Sequence, residues 1–369
     1  MTYFRSCFQH LPSITRKRIV TAPNVVLRLN RGERPEPLPV VVFKELQHTL
    51  ANYATGVQQY PSYQAFYERL SQHTGFPTNQ IVVGAGIEEF IRTLMFLCCD
   101  PGQKAAVLWP TCAMYDIYAA AFGVDLVRIK PRPGELFAVA DILKQLPPTT
   151  RVLFLPNPGQ PVETVFSLEE LGFLAEQCQH FNIILAVDEA HHGFGADTAF
   201  PLVDAYENVL VMRTFSKFFG AASIRVGYVV GPPSLIKFID AARPSGEIAG
   251  PSMAAATVLL DHHSFMVREA RDIASTRDWL RHKISELGVR VWGSAGFSLL
   301  VEFRSRAEAE TVATTLALRG VYVKSGFPLP VEKCIMLACG KLPMMQRFFT
   351  EFEGALRLAQ AMEDDCVAR

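Results

Sequence analysis

Residues 212–228 read MRTFSKFFGAASIRVGY and determine how the rest of the chain is interpreted. They continue the apolar run ENVLVMRTF, which is typical of a buried strand. Just beyond that strand, Lys217 lies between hydroxyl side chains and a turn rich in glycine and alanine, and Arg225 follows eight residues later. Because most lysines are exposed to solvent, the surrounding chain has to show whether Lys217 is different.

Short apolar strands alternate with helical segments on the N-terminal side of this stretch. The strand candidates are IVVG, AAVLWP, DLVRI, RVLFLP and NIILAVD. Such alternation predicts an α/β fold with a mostly parallel sheet that helices cover on both faces. Ligands bind beyond the carboxyl ends of the strands in these sheets. Polar residues fall at those ends, at 84–86, 109–111, 157–158, 188–189 and 214–217.

The chain changes character after about residue 245. A long helical tract is followed by VRVWGS, FSLLVEF, VYVKSG and CIMLACG with further helices, which predicts a smaller α+β unit. We therefore predict a large domain over 45–245. Residues 1–44 and 246–369 are predicted to form an N-terminal arm and a small C-terminal domain.

Composition excludes several classes of protein. The 369 residues carry 36 basic and 36 acidic side chains, so no basic field is present to hold nucleic acid or an anionic membrane. No uninterrupted apolar run approaches about 18 residues, so no membrane span is expected. The eight cysteines lack metal-ligand spacing, and we predict no metal site and a reduced, cytoplasmic location.

Three features are expected to meet at one site. Lys217 is a potential amine nucleophile, and Asp188 ends a buried strand, where a carboxylate needs a cation or hydrogen-bond donors. The third feature is a set of groups that could bind an anion: the GAG turn before the helix at Ile87 and Glu88, the hydroxyls of Thr214 and Ser216, and the Arg225 side chain. An amine, a carboxylate and a phosphate cradle are what pyridoxal phosphate requires.

The order of these motifs resembles a known family. GAGIEE, WPTCAMY, NPGQP, VDEAHHGF and RTFSKFFGAASIRVGY occur as in fold-type I aminotransferases of class I/II, and within them as in the histidinol-phosphate aminotransferase branch. The resemblance runs from about residue 27 to the last helix. Its most specific part is S-K-x-F-G-x-A-x-x-R-x-G-Y.

This resemblance implies roles for particular residues. Lys217 would form the Schiff base with the cofactor, and Asp188 would pair with its pyridinium nitrogen. Tyr60 would reach the phosphate from the second subunit, which implies a homodimer with shared active sites. The phosphate would otherwise be held by Thr214, Ser216, Arg225 and the backbone amides of Ile87 and Glu88.

The sequence also departs from the family pattern around the expected ring of the cofactor. Gln160 stands where an asparagine normally bonds the ring hydroxyl, and His191 where a tyrosine normally does. Cys112 replaces the aromatic residue that stacks on the ring, which leaves Trp109 or Tyr115 as alternatives for stacking. We predict that His191 bonds a cofactor oxygen or transfers a proton.

A further departure concerns the substrate. Met336 occupies the position of the arginine that binds the terminal anion of the substrate, and Lys324 keeps a cation at a neighbouring position. Lys324 and Asn30 are predicted to contact the substrate. A site without the arginine cannot hold an anion in a bidentate manner.

These residues predict amino transfer on an amino acid or a related amine, with Lys217 as the general base. A decarboxylase, a lyase or a cyclase on the same scaffold remains the alternative, because four positions around the ring and the substrate are altered. A regulator that binds the cofactor without catalysis is the third possibility.

Overall fold

A computed structural model describes residues 26–53, 56–132, 135–244 and 248–367. The predicted N-terminal arm as far as residue 25, and the predicted domain boundary at 245/246, lie outside these ranges. In the part of the chain that is described, no helix is both long and apolar enough to cross a membrane.

The centre of the fold is a seven-stranded sheet. In chain order its strands are β2 (Ile81–Gly84), β3 (Lys104–Leu108), β4 (Asp125–Ile129), β5 (Thr150–Pro156), β6 (Ile184–Asp188), β7 (Val209–Thr214) and β8 (Gly227–Val230). Their order across the sheet is β2-β8-β7-β6-β5-β3-β4. Only β8 runs in the direction opposite to that of the other six strands of this sheet. The predicted α/β fold with a mostly parallel sheet is therefore confirmed.

The side chains of this sheet contribute to two hydrophobic cores, one on each face. Val209 and Val211 of β7 pack into the cluster on one face, and Leu210 and Met212 pack into the cluster on the other. Successive side chains of a strand point to opposite faces, so a strand covered on both sides must be apolar throughout. This is why ENVLVM is a continuous apolar run rather than an alternating one.

Helices cover both faces of the sheet. They are α1 (Val40–Tyr53), α2 (Gln64–Thr74), α3 (Ile87–Cys98), α4 (Met114–Phe122), α5 (Val139–Lys144), α6 (Leu168–His180), α7 (Phe200–Val203), α8 (Pro233–Ala242) and α9 (Gly250–Asp261). The capping box that SLEE suggests is present at the start of α6. The Ser167 hydroxyl accepts from the Glu170 amide at 3.2 Å, and the Glu170 carboxylate accepts from the Ser167 amide at 2.8 Å.

A second core lies under a small sheet. Its elements are α10 (His263–Glu286), β9 (Arg290–Trp292), β10 (Ser298–Glu302), α11 (Arg306–Leu318), β11 (Val321–Tyr322), β12 (Cys334–Ala338) and α12 (Leu342–Val367). The strands β12-β10-β9 are antiparallel. A short strand, β1 (Leu27–Arg28), pairs in parallel with β11, and Leu27 and Leu29 pack into this second core.

The two ends of the chain thus share one core. The predicted start of the C-terminal unit at residue 246 is less simple, because Met253, Ala256 and Leu259 of α9 pack with the core of the large sheet. The division at 45–245 stays a prediction.

Candidate active site

Lys217 lies in the turn that follows β7, beyond the carboxyl ends of the parallel strands. Its Nζ donates a hydrogen bond to the Gly32 carbonyl oxygen at 2.6 Å. Burial lowers the pKa of Lys217, and the Arg225 guanidinium acts in the same direction. A lower pKa increases the fraction of neutral amine, which is the nucleophilic form.

Asp188 ends β6, the strand next to β7, and is 8% exposed. Its Oδ2 accepts from the Tyr115 hydroxyl at 2.6 Å, and its Oδ1 accepts from the Ala190 amide at 2.9 Å. Burial raises the pKa of Asp188, while these two hydrogen bonds act to lower it. A buried carboxylate of this kind can pair with a cationic ring nitrogen.

Hydroxyl and guanidinium groups are gathered beside Lys217. The Thr214 hydroxyl donates to Ser216 Oγ at 2.9 Å and accepts from the Ser216 amide at 3.1 Å. Arg225 has a left-handed φ of 53°, and its guanidinium bonds the Ala85 carbonyl at 3.2 Å. These three side chains therefore lie around the turn that opens α3.

The N-terminus of α3 completes this group. Gly86 has φ 86°, and a Cβ at this position would lie 2.8 Å from Arg225 Nη2, so only glycine leaves the guanidinium its place. Ile87 and Glu88 are the first two residues of α3, and their amides have no acceptor within the helix. Helix N-termini of this kind bind phosphate. The Glu88 carboxylate accepts from Tyr118 at 2.6 Å and lies 3.9 Å from Arg225.

These groups fit pyridoxal phosphate. The half-buried amine of Lys217, the buried carboxylate of Asp188 and the groups expected to bind phosphate at Ser216, Arg225 and the α3 terminus all lie at one edge of the sheet. The His191 ring adds a polar atom without a partner, because among the described residues its buried Nδ1 has none. Within the described ranges, His, Cys, Asp and Glu side chains form no group of three or more that could hold a metal ion.

Comparison with known proteins identifies the family. A family model described as "Aminotransferase class I and II" matches residues 24–351. The chain belongs to this family.

Relatives and solved structures agree with this assignment. The aminotransferase is 30% identical over 312 residues to "Histidinol-phosphate aminotransferase" of Ruegeria sp. (strain TM1040), which covers 83% of this chain and 84% of that protein. It is 32% identical over 287 residues to the protein of the same name from Synechococcus sp. (strain JA-3-3Ab), which covers 74% and 78%. The crystal structure of histidinol-phosphate aminotransferase from Sinorhizobium meliloti in complex with pyridoxal-5'-phosphate has the same fold, with a TM-score of 0.87 at 19% identity over 97% of this chain and 98% of that chain.

The predictions of family, enzyme class and cofactor are therefore confirmed. The chain is a pyridoxal phosphate-dependent aminotransferase, and its substrate is a small molecule that carries an amine. The relatives favour amino transfer over the decarboxylase, lyase or cyclase that the sequence left open.

His191 lies in the turn after β6. Its ring stacks on Phe297 with the ring centroids 5.4 Å apart and an interplanar angle of 26°. Burial and the nearby Lys217 lower the pKa of His191 to about 3, so the imidazole is neutral at ordinary pH. A neutral imidazole both donates and accepts a hydrogen bond.

Trp109, Cys112 and Tyr115, the residues considered for the position beside the cofactor ring, have different surroundings. Tyr115 is fully buried and packs on Phe154 in the core at 5.2 Å, so it offers no free ring face. Trp109 borders a cavity of about 320 Å³, with Lys130 5.7 Å from its ring centroid. Cys112 is exposed, yet desolvation by surrounding protein raises the pKa of its thiol, and nearby Lys324 acts to lower it.

The position expected to hold the anion of the substrate is apolar. Met336 is 7% exposed and packs with Leu300, Phe327, Val331 and Cys334. The Lys324 amide donates to the Met336 carbonyl at 2.8 Å, and the Met336 amide donates to the Lys324 carbonyl at 2.8 Å. Lys324 is therefore fixed beside Met336 by the backbone, while its side chain stays exposed.

Gln160, Asn30 and Tyr60 are the remaining predicted site residues, and each has different surroundings. Gln160 borders the same small gap as Met336 and Trp292. Asn30 has a buried Oδ1 that lacks a hydrogen-bond partner among the described residues. Tyr60 is 98% exposed, so it does not reach the phosphate-binding groups within its own chain.

Sequence reasoning missed some charged residues at the site. Buried Glu189 accepts from Arg213 at 2.8 Å and from the Ala199 amide at 2.6 Å, directly after Asp188. Glu163 is also buried; it ends the segment NPGQPVE, for which the pattern of the resembled family is N-P-N-N-P-T-G, so it replaces a glycine. That replacement was the available signal, because an acidic residue in a loop expected to be glycine must find donors when buried.

Proposed function

We propose that this aminotransferase moves an amino group between an amine substrate and a 2-oxo acid, with Lys217 as the base. The half-buried Lys217 amine, with its lowered pKa and its position at the strand ends, carries this proposal. When bound, pyridoxal phosphate supplies an electron sink for the pair released at the substrate α-carbon. Lys217 Nζ would take the proton from the substrate α-carbon and give it to the former aldehyde carbon of the cofactor, two bonds away.

We propose that the other polar groups orient the cofactor. Asp188 would hold the ring nitrogen in its protonated form, since the Tyr115 and Ala190 hydrogen bonds keep its carboxylate in place. Thr214, Ser216 and Arg225, with the amides of residues 87 and 88, would bind the phosphate. His191 would bond the ring oxygen through its unpartnered Nδ1. Cys112 and Gln160 would border the ring without stacking on it.

The substrate we propose is an amino acid or related amine with an apolar group towards Met336. The apolar cluster around Met336 supports this, because Met336 has no donor at the position of the family's arginine and the neighbouring Lys324 offers only a single amine. Histidinol phosphate, for which the relatives are named, is the reference compound to test. Asn30, with its unpartnered Oδ1, would bond the substrate.

We further propose a homodimer in which Tyr60 serves the partner's site. Apolar side chains are exposed along α1 and just after it, which is typical of a covered surface. They are Val40, Val41, Phe43, Leu50 and Val57. We also propose a cytoplasmic location, supported by the free state of six cysteines, which are Cys98, Cys99, Cys112, Cys178, Cys334 and Cys339.

The reaction is tested by half-reactions. Enzyme with bound pyridoxal phosphate is mixed with single amino acids and amines, histidinol phosphate among them, and the visible absorbance of the cofactor is followed. Amino transfer requires that an active amine converts the cofactor to its amino form and that 2-oxoglutarate restores it. Product formation without any requirement for a 2-oxo acid would contradict the proposal.

Shared sites are tested by mixing two inactive variants. A heterodimer combines one Lys217→Ala chain with one Tyr60→Ala chain. One of its two sites then has both Lys217 and Tyr60 only if Tyr60 acts in the site of the partner subunit. Random re-assortment should then recover about one quarter of the wild-type activity. No recovery, with mixed dimers verified by mass, would show that Tyr60 does not act in this way.

A further inference from the structure

Glu163 joins two loops that border the site. It lies three residues after Gln160, in the loop between β5 and α6, and is 8% exposed. Its carboxylate accepts from the backbone amides of Ser294, Ala295 and Gly296, the last two at 2.7 Å each. The Ser294 hydroxyl adds a fourth bond at 3.1 Å. Consecutive amides that converge on a carboxylate make strong, charge-assisted hydrogen bonds.

The loop from 294 to 297 is held from a second direction by Arg277. This side chain is 3% exposed, and its Nη1 donates to the Gly296 carbonyl at 2.6 Å and to the Phe194 carbonyl at 3.2 Å. Phe194 follows the turn that carries His191. One guanidinium therefore fastens loop 294–297 to the His191 turn.

Loop 294–297 ends at Phe297, whose ring stacks on the ring of His191. Phe297 contacts His191 at 5.4 Å and Phe194 at 5.1 Å between ring centroids. A side chain at Gly296 would crowd this contact, since its Cβ would lie 3.0 Å from Glu163 Oε2 and 3.3 Å from Gln160 Nε2. The position of Phe297 thus depends on how Glu163 and Arg277 hold the loop.

We propose that Glu163 is a positioning residue of this aminotransferase. Through the amides of 294–296 it fixes Phe297, and Phe297 fixes the orientation of the His191 ring beside Lys217. Among the described residues the Nδ1 of His191 has no hydrogen-bond partner, so within the protein the stacked Phe297 ring orients the imidazole towards the cofactor oxygen that it is proposed to bond. The inference rests on the role proposed above for His191.

The test uses Glu163→Gln in the full-length enzyme saturated with pyridoxal phosphate. Glutamine has the same shape, but its amide nitrogen would face a backbone N–H. Two donors would then face each other, and that hydrogen bond would be lost. Glu163→Asp keeps the charge and serves as the conservative variant. The matched control is Glu308→Gln in α11, because Glu308 is 2% exposed and accepts from the Arg304 amide at 2.9 Å away from the cofactor groups.

Two readouts are measured. The first is the ring-proton NMR signal of His191 in enzyme labelled on histidine, assigned by its loss in His191→Phe. Glu163→Gln should shift this signal, because the stacked Phe297 ring moves. The second is kinetic: kcat should fall about tenfold or more with a smaller change in KM, since misplacing a reacting group by about 1 Å can cost about 100-fold. Glu163→Asp should recover part of both changes, and Glu308→Gln should alter neither.

A second variant keeps the proposal testable if Glu163→Gln does not fold. Phe297→Leu removes the stacked ring without removing a hydrogen bond, and it should shift the same signal and lower kcat. The proposal is overturned if either variant folds and leaves the His191 signal and kcat unchanged. If His191→Phe itself has normal kinetics, the proposed role of His191 fails instead, and the NMR shift alone decides whether Glu163 positions the ring.

Discussion

Lowering the pH should destabilise this protein through a group of half-buried histidines beside Thr214. His73, His192 and His263 surround a small gap, and the rings of His73 and His263 meet edge to face at 4.6 Å. Burial lowers the pKa of His73 from 6.5 to about 4, and His263, Arg213 and Arg69 act in the same direction. His73 is therefore neutral in the folded protein at any pH above about 4.

The sign follows from the direction of this shift. Because the folded pKa lies below the unfolded value, the unfolded chain takes up a proton first as the pH falls. The stabilisation is complete above 6.5 and is lost between 6.5 and about 4. From pH 7.5 to pH 5.5, His73 alone should lower the free energy of unfolding by about 1.3 kcal/mol. Its contribution to the slope near pH 5.5 is about 1.2 kcal/mol per pH unit.

The measurement is urea unfolding at a series of pH values for the wild type and for His73→Gln. The variant should lose about 1.2 kcal/mol per pH unit of slope near pH 5.5, whatever its absolute stability. His180→Gln is the matched control, because it makes the same substitution at an exposed histidine at the end of α6, outside the group around His73. Equal slopes for the wild type and His73→Gln would refute the reasoning.

Three further predictions concern the active site. Lys217→Ala should abolish the visible absorbance band of the bound cofactor, and a surviving band would mean that another lysine holds it. His191→Phe should lower kcat more than cofactor affinity, measured by titration of the cofactor; the reverse would make His191 a binding residue only. Met336→Arg should raise kcat/KM for histidinol phosphate relative to an apolar amino acid by about tenfold, because it adds a charge-assisted contact. An unchanged ratio would show that the anion does not bind there.

The fold could be predicted from sequence because its signals are local. Apolar strands such as ENVLVM and caps such as SLEE depend on neighbours within a few residues. The predicted convergence of Lys217 and Asp188 followed from their positions at the ends of strands, since parallel strands bring those ends to one edge. The domain to which α9 belongs is harder to predict from sequence, because its packing partners, on the large sheet, are distant in the chain.

Contacts between distant segments could not be predicted in the same way. The hydrogen bond from Tyr115 to Asp188 joins residues 73 positions apart, and the bonds of Glu163 span more than 130. No local pattern in either segment specifies its partner. Only the chemistry of burial indicates that a partner must exist, because a buried carboxylate without donors would be too costly.

The departure at Met336 is separated in space from the residues that follow the family pattern. Lys217, Asp188 and Arg225, which follow the pattern, lie at the carboxyl edge of the large sheet or in the turns next to it. Met336, which departs from it, lies on the small sheet, in an apolar cluster with Leu300. On the roles proposed above, a change on the small sheet leaves the groups for the phosphate and the Lys217 amine in place, so it would alter which amine binds without altering how the cofactor is held.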